Sequence, residues 1–308
     1  MLQGNKILLT GLTGRIGGAA AVALAPSNEV WGLARYTKEG TREAAEKLGV
    51  IPVVGDFARG SLDAVPRDFD YIVHIAANVS PRSAEEGMLD NSDGAARLMS
   101  HCHTAKAFLH VSASSVYAQN ADPYHTYPED SDLGGSYGGQ YSPTKVAAEG
   151  AVRAAALILN LPTAICRQNV QYGGLTGEPG LIDRFLDVFV ETGEVYLPPT
   201  GPMVIGPIHE DDIVDLIEPS LKAASVPAFI VNWGGDERVD WQELFEYVGF
   251  LIDKTPKFIR KPEFAFPNYF PDPTKRRAMA GPCKIDWKTG IRRTLQLRFP
   301  DMALKHVD

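Results

Sequence analysis

The sequence is poor in cysteine, with only Cys102, Cys166 and Cys283 in 308 residues. An odd number of widely separated thiols supplies neither a disulfide framework nor a CxxC metal site, and leaves small buried or surface thiols as the expectation. Long runs of lysine and arginine are missing too. The formal charge of −8 opposes a nucleic-acid partner, which needs a basic face to neutralise phosphates. No apolar run reaches the ~18 residues of a membrane-spanning helix. The N-terminus enters a strand almost at once, without the charged leader, apolar stretch and cleavage site of a secretory signal. There is no internal repeat and no low-complexity tract. A chain placed in the cytoplasm, with a small molecule as its partner and neither nucleic acid nor membrane, is what these absences leave.

What is present suits an enzyme. With 44% hydrophobic and 22% charged residues, the chain can bury one large core and a smaller lobe. In the first half, apolar runs alternate with helical stretches. Strands are expected at Lys6 to Leu9, Glu29 to Leu33, Ile51 to Val54, Asp70 to Ile75, Ala107 to Val111 and Thr163 to Arg167. Helices are expected at Ile16 to Ala25, Thr41 to Leu48, Asn91 to His101 and Tyr141 to Leu159. Strands separated by helices of this size make βαβ units. The expected fold is therefore α/β, a Rossmann-like, doubly wound parallel sheet over residues 1–172. Residues 173–308 are expected to be mainly a loop-rich substrate lobe, with segments returning to the sheet. Six prolines between Pro256 and Pro282 fit that lobe.

The first chemical signal is the loop Thr10-Gly11-Leu12-Thr13-Gly14-Arg15-Ile16-Gly17, spaced GxxGxxG between a strand and an Ala-rich helix. Glycines let a backbone approach a pyrophosphate, whose charge is met by helix N–H groups. Gly11, Thr13, Gly14, Arg15, Ile16 and Gly17 are thus the expected cofactor loop. A carboxylate about 20 residues beyond such a loop suits the ribose of NAD, and an arginine suits the 2′-phosphate of NADP. Here the second strand runs into Ala34-Arg35-Tyr36. Arg15 and Arg35 would clamp the phosphate from two sides, which makes NADP the expected cofactor, with NAD as the alternative.

The second signal is Tyr141-Ser142-Pro143-Thr144-Lys145. A phenol near pKa ~10 is a poor acid or base at neutral pH. Four residues along a helix puts Lys145 on the same face as Tyr141, where its ammonium would lower the phenol's pKa. Tyr141 would then exchange a proton with a carbonyl or alcohol oxygen as hydride moves.

Taken together, these residues resemble the extended short-chain dehydrogenase/reductases, a group often labelled NAD-dependent epimerase/dehydratase. The resemblance spans essentially the whole chain. TGLTGRIGG resembles the family's TGxxGxxG loop, and Tyr141 with Lys145 its YxxxK. The resemblance assigns Asp56 and Phe57 to the adenine side, Ala76 and Ala77 to a strand end beside the cofactor, and Asn91 to a structural asparagine in the next helix. Arg167 to Gly173, including Gln168, is similar to RxxNVYG with Gln171 as an extra residue. His209 to Asp212 is similar to HxxD, and Trp287 to Ile291 to W-x-x-G-I. A homodimer is also implied. One departure stands out: the Ser or Thr that would bond the substrate oxygen falls in register on Ala113, which leaves Ser114 or Ser112 to supply the hydroxyl.

Other clusters read as structural. His101-Cys102-His103 is expected to be polar surface at a helix–strand junction rather than a metal site. The acids after His209 belong in the first turn of a helix over Ile213 to Ile217. Phe258, Phe264, Phe266, Tyr269 and Phe270 are expected in the lobe core, some of them lining a substrate pocket.

The functional expectation is an NADP-dependent oxidoreductase acting on a small to medium, largely apolar carbonyl or secondary alcohol, with Tyr141 as general acid/base. The alternative is a nucleotide-sugar epimerase or dehydratase with tightly bound NAD, for which Arg260, Lys261, Lys275, Arg276 and Arg277 are the available basic residues. A non-catalytic NADP-binding sensor is the second alternative, favoured by Ala113 and opposed by Tyr141 and Lys145.

Overall fold

A computed structural model describes residues 2–135, 139–174, 179–264 and 266–306. Seven parallel strands form the central sheet: β1 (Lys6–Thr10), β2 (Glu29–Ala34), β3 (Ile51–Val54), β4 (Tyr71–His74), β5 (Ala107–Ala113), β6 (Thr163–Gln168) and β7 (Phe229–Trp233). Their spatial order is β7-β6-β5-β4-β1-β2-β3. Strand order therefore reverses beside β1, the position at which doubly wound sheets open a crevice at their carboxyl ends.

The sheet is apolar on both faces because helices cover both. In β1, Ile7 and Leu9 face one helical layer while Leu8 faces the other, and all three are fully buried. The first layer contains helix α1 (Arg15–Leu24), contributing Ala20, Ala21 and Leu24, and a helix at Glu210–Ala223 contributing Ile213, Leu216 and Ile217. In the second layer, helix α2 (Gly94–His101) brings Leu98 and Met99, and helix α3 (Tyr141–Leu159) brings Val152 and Ala156. Along α3, Lys145, Ala148, Val152 and Ala156 are buried at intervals of three and four, with Glu149 beside Ala148, one face of a helix against the sheet.

The helix expected to begin at Asn91 begins earlier and is irregular. A turn at Ala84–Gly87 runs into a π-helical segment, Met88–Asp93, before α2 starts at Gly94. Asn91 sits inside that segment. Its side chain accepts from Asn78 N at 2.7 Å and donates to Asn78 O at 3.0 Å and Thr144 Oγ1 at 3.1 Å. These bonds tie the stretch after β4 to α3, consistent with an insertion into the helical ladder.

Beyond residue 173 the chain builds a second core and returns once to the sheet as β7, which pairs with β6. The second core packs Phe185 and Phe189 against Trp241, Phe245, Trp287 and Ile291. Phe185 meets Trp241 edge to face at 5.0 Å. Phe264 and Phe266 pack on this core. The acids after His209 cap a longer helix than expected: Glu210, Asp211 and Asp212 form the first turn of Glu210–Ala223, with His209 as N-cap. No helix among the described residues is long and apolar enough to cross a membrane. The stretch His101-Cys102-His103 departs from the polar surface expected of it. His101 is buried with Nε2 2.8 Å from Val65 O, Cys102 is fully buried, and only His103 is exposed.

Candidate active site

A cleft of about 890 Å³ opens at the carboxyl ends of the strands. One wall is the glycine loop from Gly11 to Gly17, and the residues after β2 (Arg35), β3 (Asp56, Phe57) and β4 (Ala76, Ala77) extend it. The lobe contributes Leu181, two residues before the Asp183 that contacts Arg15, together with Met203, Ile205, Phe266, Pro267 and Tyr269. Ser112 to Ser115, Tyr141 and Gln168 to Gln171 lie between. Of the residues expected from the sequence, all but Asn91 and Lys145 line the cleft; those two lie buried behind its wall.

The loop residues fit a dinucleotide. Gly11 has φ of +77°, and a Cβ there would lie 2.7 Å from Ala76 N. A Cβ at Gly17 would lie 2.1 Å from Gly11 O, so a side chain at either position would break the turn. Helix α1 starts without a side-chain cap and without an acid in its first turn. Its N-terminal N–H groups are therefore left to a ligand anion.

Arg15 does not take the place expected of it. The guanidinium is buried against Asp183 of the helix Leu181–Thr192, with Glu210 Oε2 3.7 Å from Nε. Two carboxylates hold it within the junction between the loop and the lobe, so it does not clamp a 2′-phosphate. Arg35 is exposed at the end of β2 beside the cleft. Tyr36, with φ of +47°, turns the chain away immediately after it and bonds back to Gly32 O at 2.8 Å.

The phenol and its partner also differ from expectation. Burial pushes the Tyr141 hydroxyl up to about 12, and Lys145 does not lower it. The reason is where the ammonium points. Lys145 Nζ donates to Val111 O at 2.7 Å and lies 3.3 Å from His110 Nε2. Burial lowers Lys145 to about 8, against an opposing pull from Glu149.

The two serines offered as replacements for Ala113 have different fates. Ser112 Oγ donates to Glu149 Oε1 at 2.6 Å, inside a buried ion pair in which Arg167 reaches Glu149 at 2.8 Å. Its proton is committed, so Ser112 is not available to a substrate oxygen. Ser114 Oγ is buried, has no partner and belongs to a residue lining the cleft. The same holds for Ser115, which sequence reasoning missed although it adjoins Ser114. His74, which the resemblance places at the strand end beside the cofactor, is buried and stacked on His110, a contact that nothing in the sequence of the two strands marks.

The five basic residues of the lobe available to a diphosphate are occupied away from the cleft. Arg260 donates to Pro198 O and Gly201 O, Lys275 to Ile230 O, and Lys261 sits 4.4 Å over the Tyr196 ring. Arg276 and Arg277 both pair with Asp236. None of the five lines the cleft.

A parallel sheet reversing at β1, a bare glycine loop and a tyrosine in the crevice define a Rossmann-type dinucleotide enzyme fold. The chain belongs to the NAD dependent epimerase/dehydratase family, whose sequence profile matches residues 7–231. Solved structures agree over nearly the full length. A UDP-N-acetylglucosamine 4-epimerase from Methanobrevibacter ruminantium M1 is 18% identical, with a TM-score of 0.83 over 98% of this chain and 100% of that one. A UDP-glucuronic acid 4-epimerase from Bacillus cereus, in complex with UDP-glucuronic acid and NAD, is 18% identical, with a TM-score of 0.80 over 94% and 98%. A dTDP-glucose 4,6-dehydratase from Bacillus anthracis, in complex with NAD, is 20% identical, with a TM-score of 0.80 over 96% of each chain. At this identity the likeness is one of fold. No curated protein sequence matches the chain.

Proposed function

We propose that this protein is an NADP-dependent oxidoreductase that exchanges hydride with the carbonyl or secondary alcohol of a small to medium, largely apolar substrate. The observation that carries this reading is the lobe's contribution to the cleft lining, Leu181, Met203, Ile205, Phe266 and Pro267, with every basic lobe residue considered above engaged elsewhere. A nucleotide-sugar diphosphate would meet no free cation there, whereas an apolar group would be desolvated favourably. In this reading residues 1–172 hold the cofactor and residues 173–308 mainly hold the substrate.

The glycine loop would hold the pyrophosphate, Arg35 the 2′-phosphate and Lys145 the nicotinamide ribose. When bound, the nicotinamide supplies or takes up the hydride. Tyr141, a phenol protonated at neutral pH, donates its proton to the substrate oxygen. The same group would take the proton back in the opposite direction, as general acid/base. Ser114 offers an unpartnered hydroxyl to the same oxygen, in place of the one that Ala113 lacks.

The second reading is a nucleotide-sugar epimerase or dehydratase retaining NAD, which the names of the three similar structures favour. NADPH and NADH consumption over a panel of ketones and aldehydes, run beside UDP- and dTDP-sugars, separates the two. Steady NADPH turnover with apolar ketones supports the reductase; NAD retained through purification and sugar conversion without net cofactor turnover overturns it. Two further expectations belong to this reading. A cytoplasmic location accords with three unpaired cysteines, and a homodimer accords with Leu157 and Ile158 exposed on α3.

A further inference from the structure

A row of buried polar side chains runs behind the cleft from the glycine loop to α3. Thr10 of β1 lies in register with His74 of β4, and His74 with His110 of β5. Thr10 Oγ1 lies 2.8 Å from His74 Nδ1 and accepts from Ala76 N at 3.2 Å. The two imidazoles stack at 5.4 Å with an interplanar angle of 27°. Lys145 Nζ then meets His110 Nε2 at 3.3 Å.

We propose that His110 is a positioning residue for Lys145, accepting one of its three N–H bonds so that, with Val111 O taking the second, the third alone is left for the nicotinamide ribose. The proposal rests on the reading that a dinucleotide occupies the cleft.

An ammonium only donates, so Nε2 of His110 carries the lone pair and Nδ1 the proton. That tautomer leaves His110 Nδ1 without a partner, as is His74 Nε2. Burying ring nitrogens unpaired is unfavourable. Apart from Thr10 and Lys145, His74 is flanked by the Phe57 and Phe108 rings, with centroids 5.1 and 5.8 Å from its own. A histidine is retained at 110 for the one bond it makes. It remains an acceptor throughout the working pH range, because burial, the Lys145 charge and His74 all hold it well below its ordinary value.

Several charged or titratable groups face Lys145. On α3, Tyr141 is neutral, and Glu149 is shared with Arg167 of β6. On β4, burial holds His74 down at about 3. Of the groups around Lys145, Glu149 supports its charge electrostatically. His110 adds an uncharged acceptor, and removing it weakens the ammonium form.

The test uses full-length protein with 13C-labelled lysine, titrated without nucleotide, together with direct calorimetry of NADPH binding. In His110→Phe the Lys145 midpoint is expected to fall by about one pH unit and NADPH to bind about tenfold more weakly. His110→Gln, whose amide oxygen can accept, should restore most of both. If His110→Phe does not fold, His110→Met, which also lacks a ring nitrogen, replaces it. An unchanged midpoint and affinity in the folded variant, or a folded Gln variant as impaired as Phe, overturns the proposal. If the unmutated protein binds neither NADPH nor NADH, the functional reading falls instead, and with it the ribose assignment, while the midpoint still reports whether His110 sustains the Lys145 charge.

Discussion

Arg15 of the glycine loop and Asp183 at the start of the helix Leu181–Thr192 form a buried ion pair across 168 residues of sequence. Asp183 is fully buried and also accepts from Gly180 N at 2.8 Å, so it caps its helix while holding the loop. The pair ties the glycine loop directly to the lobe that forms the rest of the cleft wall. Removing one member of a buried pair strands the other charge, at a cost of ~3–5 kcal/mol. Glu210 Oε2, 3.7 Å from Arg15 Nε, stays as a partner, so Asp183→Ala should lower unfolding stability by somewhat less than that in denaturant titrations, and Asp183→Asn, which keeps the cap, by less again. Equal stability in all three proteins would show that the pair is not formed in solution.

Tyr141→Phe should reduce turnover by roughly 10²- to 10⁴-fold while leaving dinucleotide affinity nearly unchanged. The phenyl ring keeps the packing and loses only the proton donor. Stopped-flow reduction of an active ketone, paired with calorimetric cofactor binding, gives both numbers. Turnover within twofold of the parent would remove Tyr141 from the chemistry.

The serines beside Ala113 should separate cleanly. Ser114→Ala should slow turnover by about 10²-fold with little change in melting temperature, since its hydroxyl has no partner to lose. Ser112→Ala should do the reverse. It withdraws a donor from the buried Glu149 carboxylate, which costs about 1–3 kcal/mol of stability and leaves the cleft intact. A kinetic defect confined to the Ser112 variant would invert the assignment.

Lys145 gives a pH signature whose sign is fixed by its direction of shift. Its value falls from 10.5 in the unfolded chain to about 8 in the folded protein. Between those limits the unfolded state binds more protons, so this group's contribution makes stability rise as pH increases through that window. Below it, the buried charge weakens the fold by on the order of 3 kcal/mol. Lys145→Met should flatten that part of the stability profile relative to the parent protein. Parallel profiles for the two proteins between pH 8 and 10.5 would place the Lys145 ammonium in solvent.

Much of this arrangement is legible locally and some of it is not. Lys6 to Leu9 is a short apolar run stopped by glycines, and Tyr141 to Leu159 carries a helical apolar stripe, so their structures follow from neighbouring residues alone. Nothing local marks Phe229–Trp233 as the strand that returns to the sheet, because its partner β6 lies on the far side of the lobe insertion. The π-helical turn at Asn91 depends on what its amide meets on Asn78 and Thr144. Arg15 shows the limit most clearly. Its place in the glycine loop suggested a phosphate, and a carboxylate brought in from another lobe took it instead. Lys145 is similar: helical spacing put it on the face of Tyr141, but its length let it reach the strand behind.

With Arg15 engaged, cofactor choice falls on Arg35 alone. The end of β2 is Ala34-Arg35-Tyr36, and no carboxylate stands there to accept the ribose hydroxyls of NAD. The positive φ of Tyr36 turns the chain immediately after Arg35, so the guanidinium stays at the rim of the cleft. An exposed cation facing a dianionic phosphate is screened by salt, which limits what one arginine contributes. Arg35→Asp should nonetheless weaken NADPH by roughly 10²-fold, since it replaces an attraction with a repulsion, and should leave NADH unchanged or tighter. If Arg35 reads the phosphate as proposed, raising ionic strength should erode the affinity of the parent protein for NADPH and leave that for NADH flat. Equal loss of both cofactors in the variant would mean that Arg35 supports the loop rather than reads the phosphate, and NAD would become the cofactor of choice.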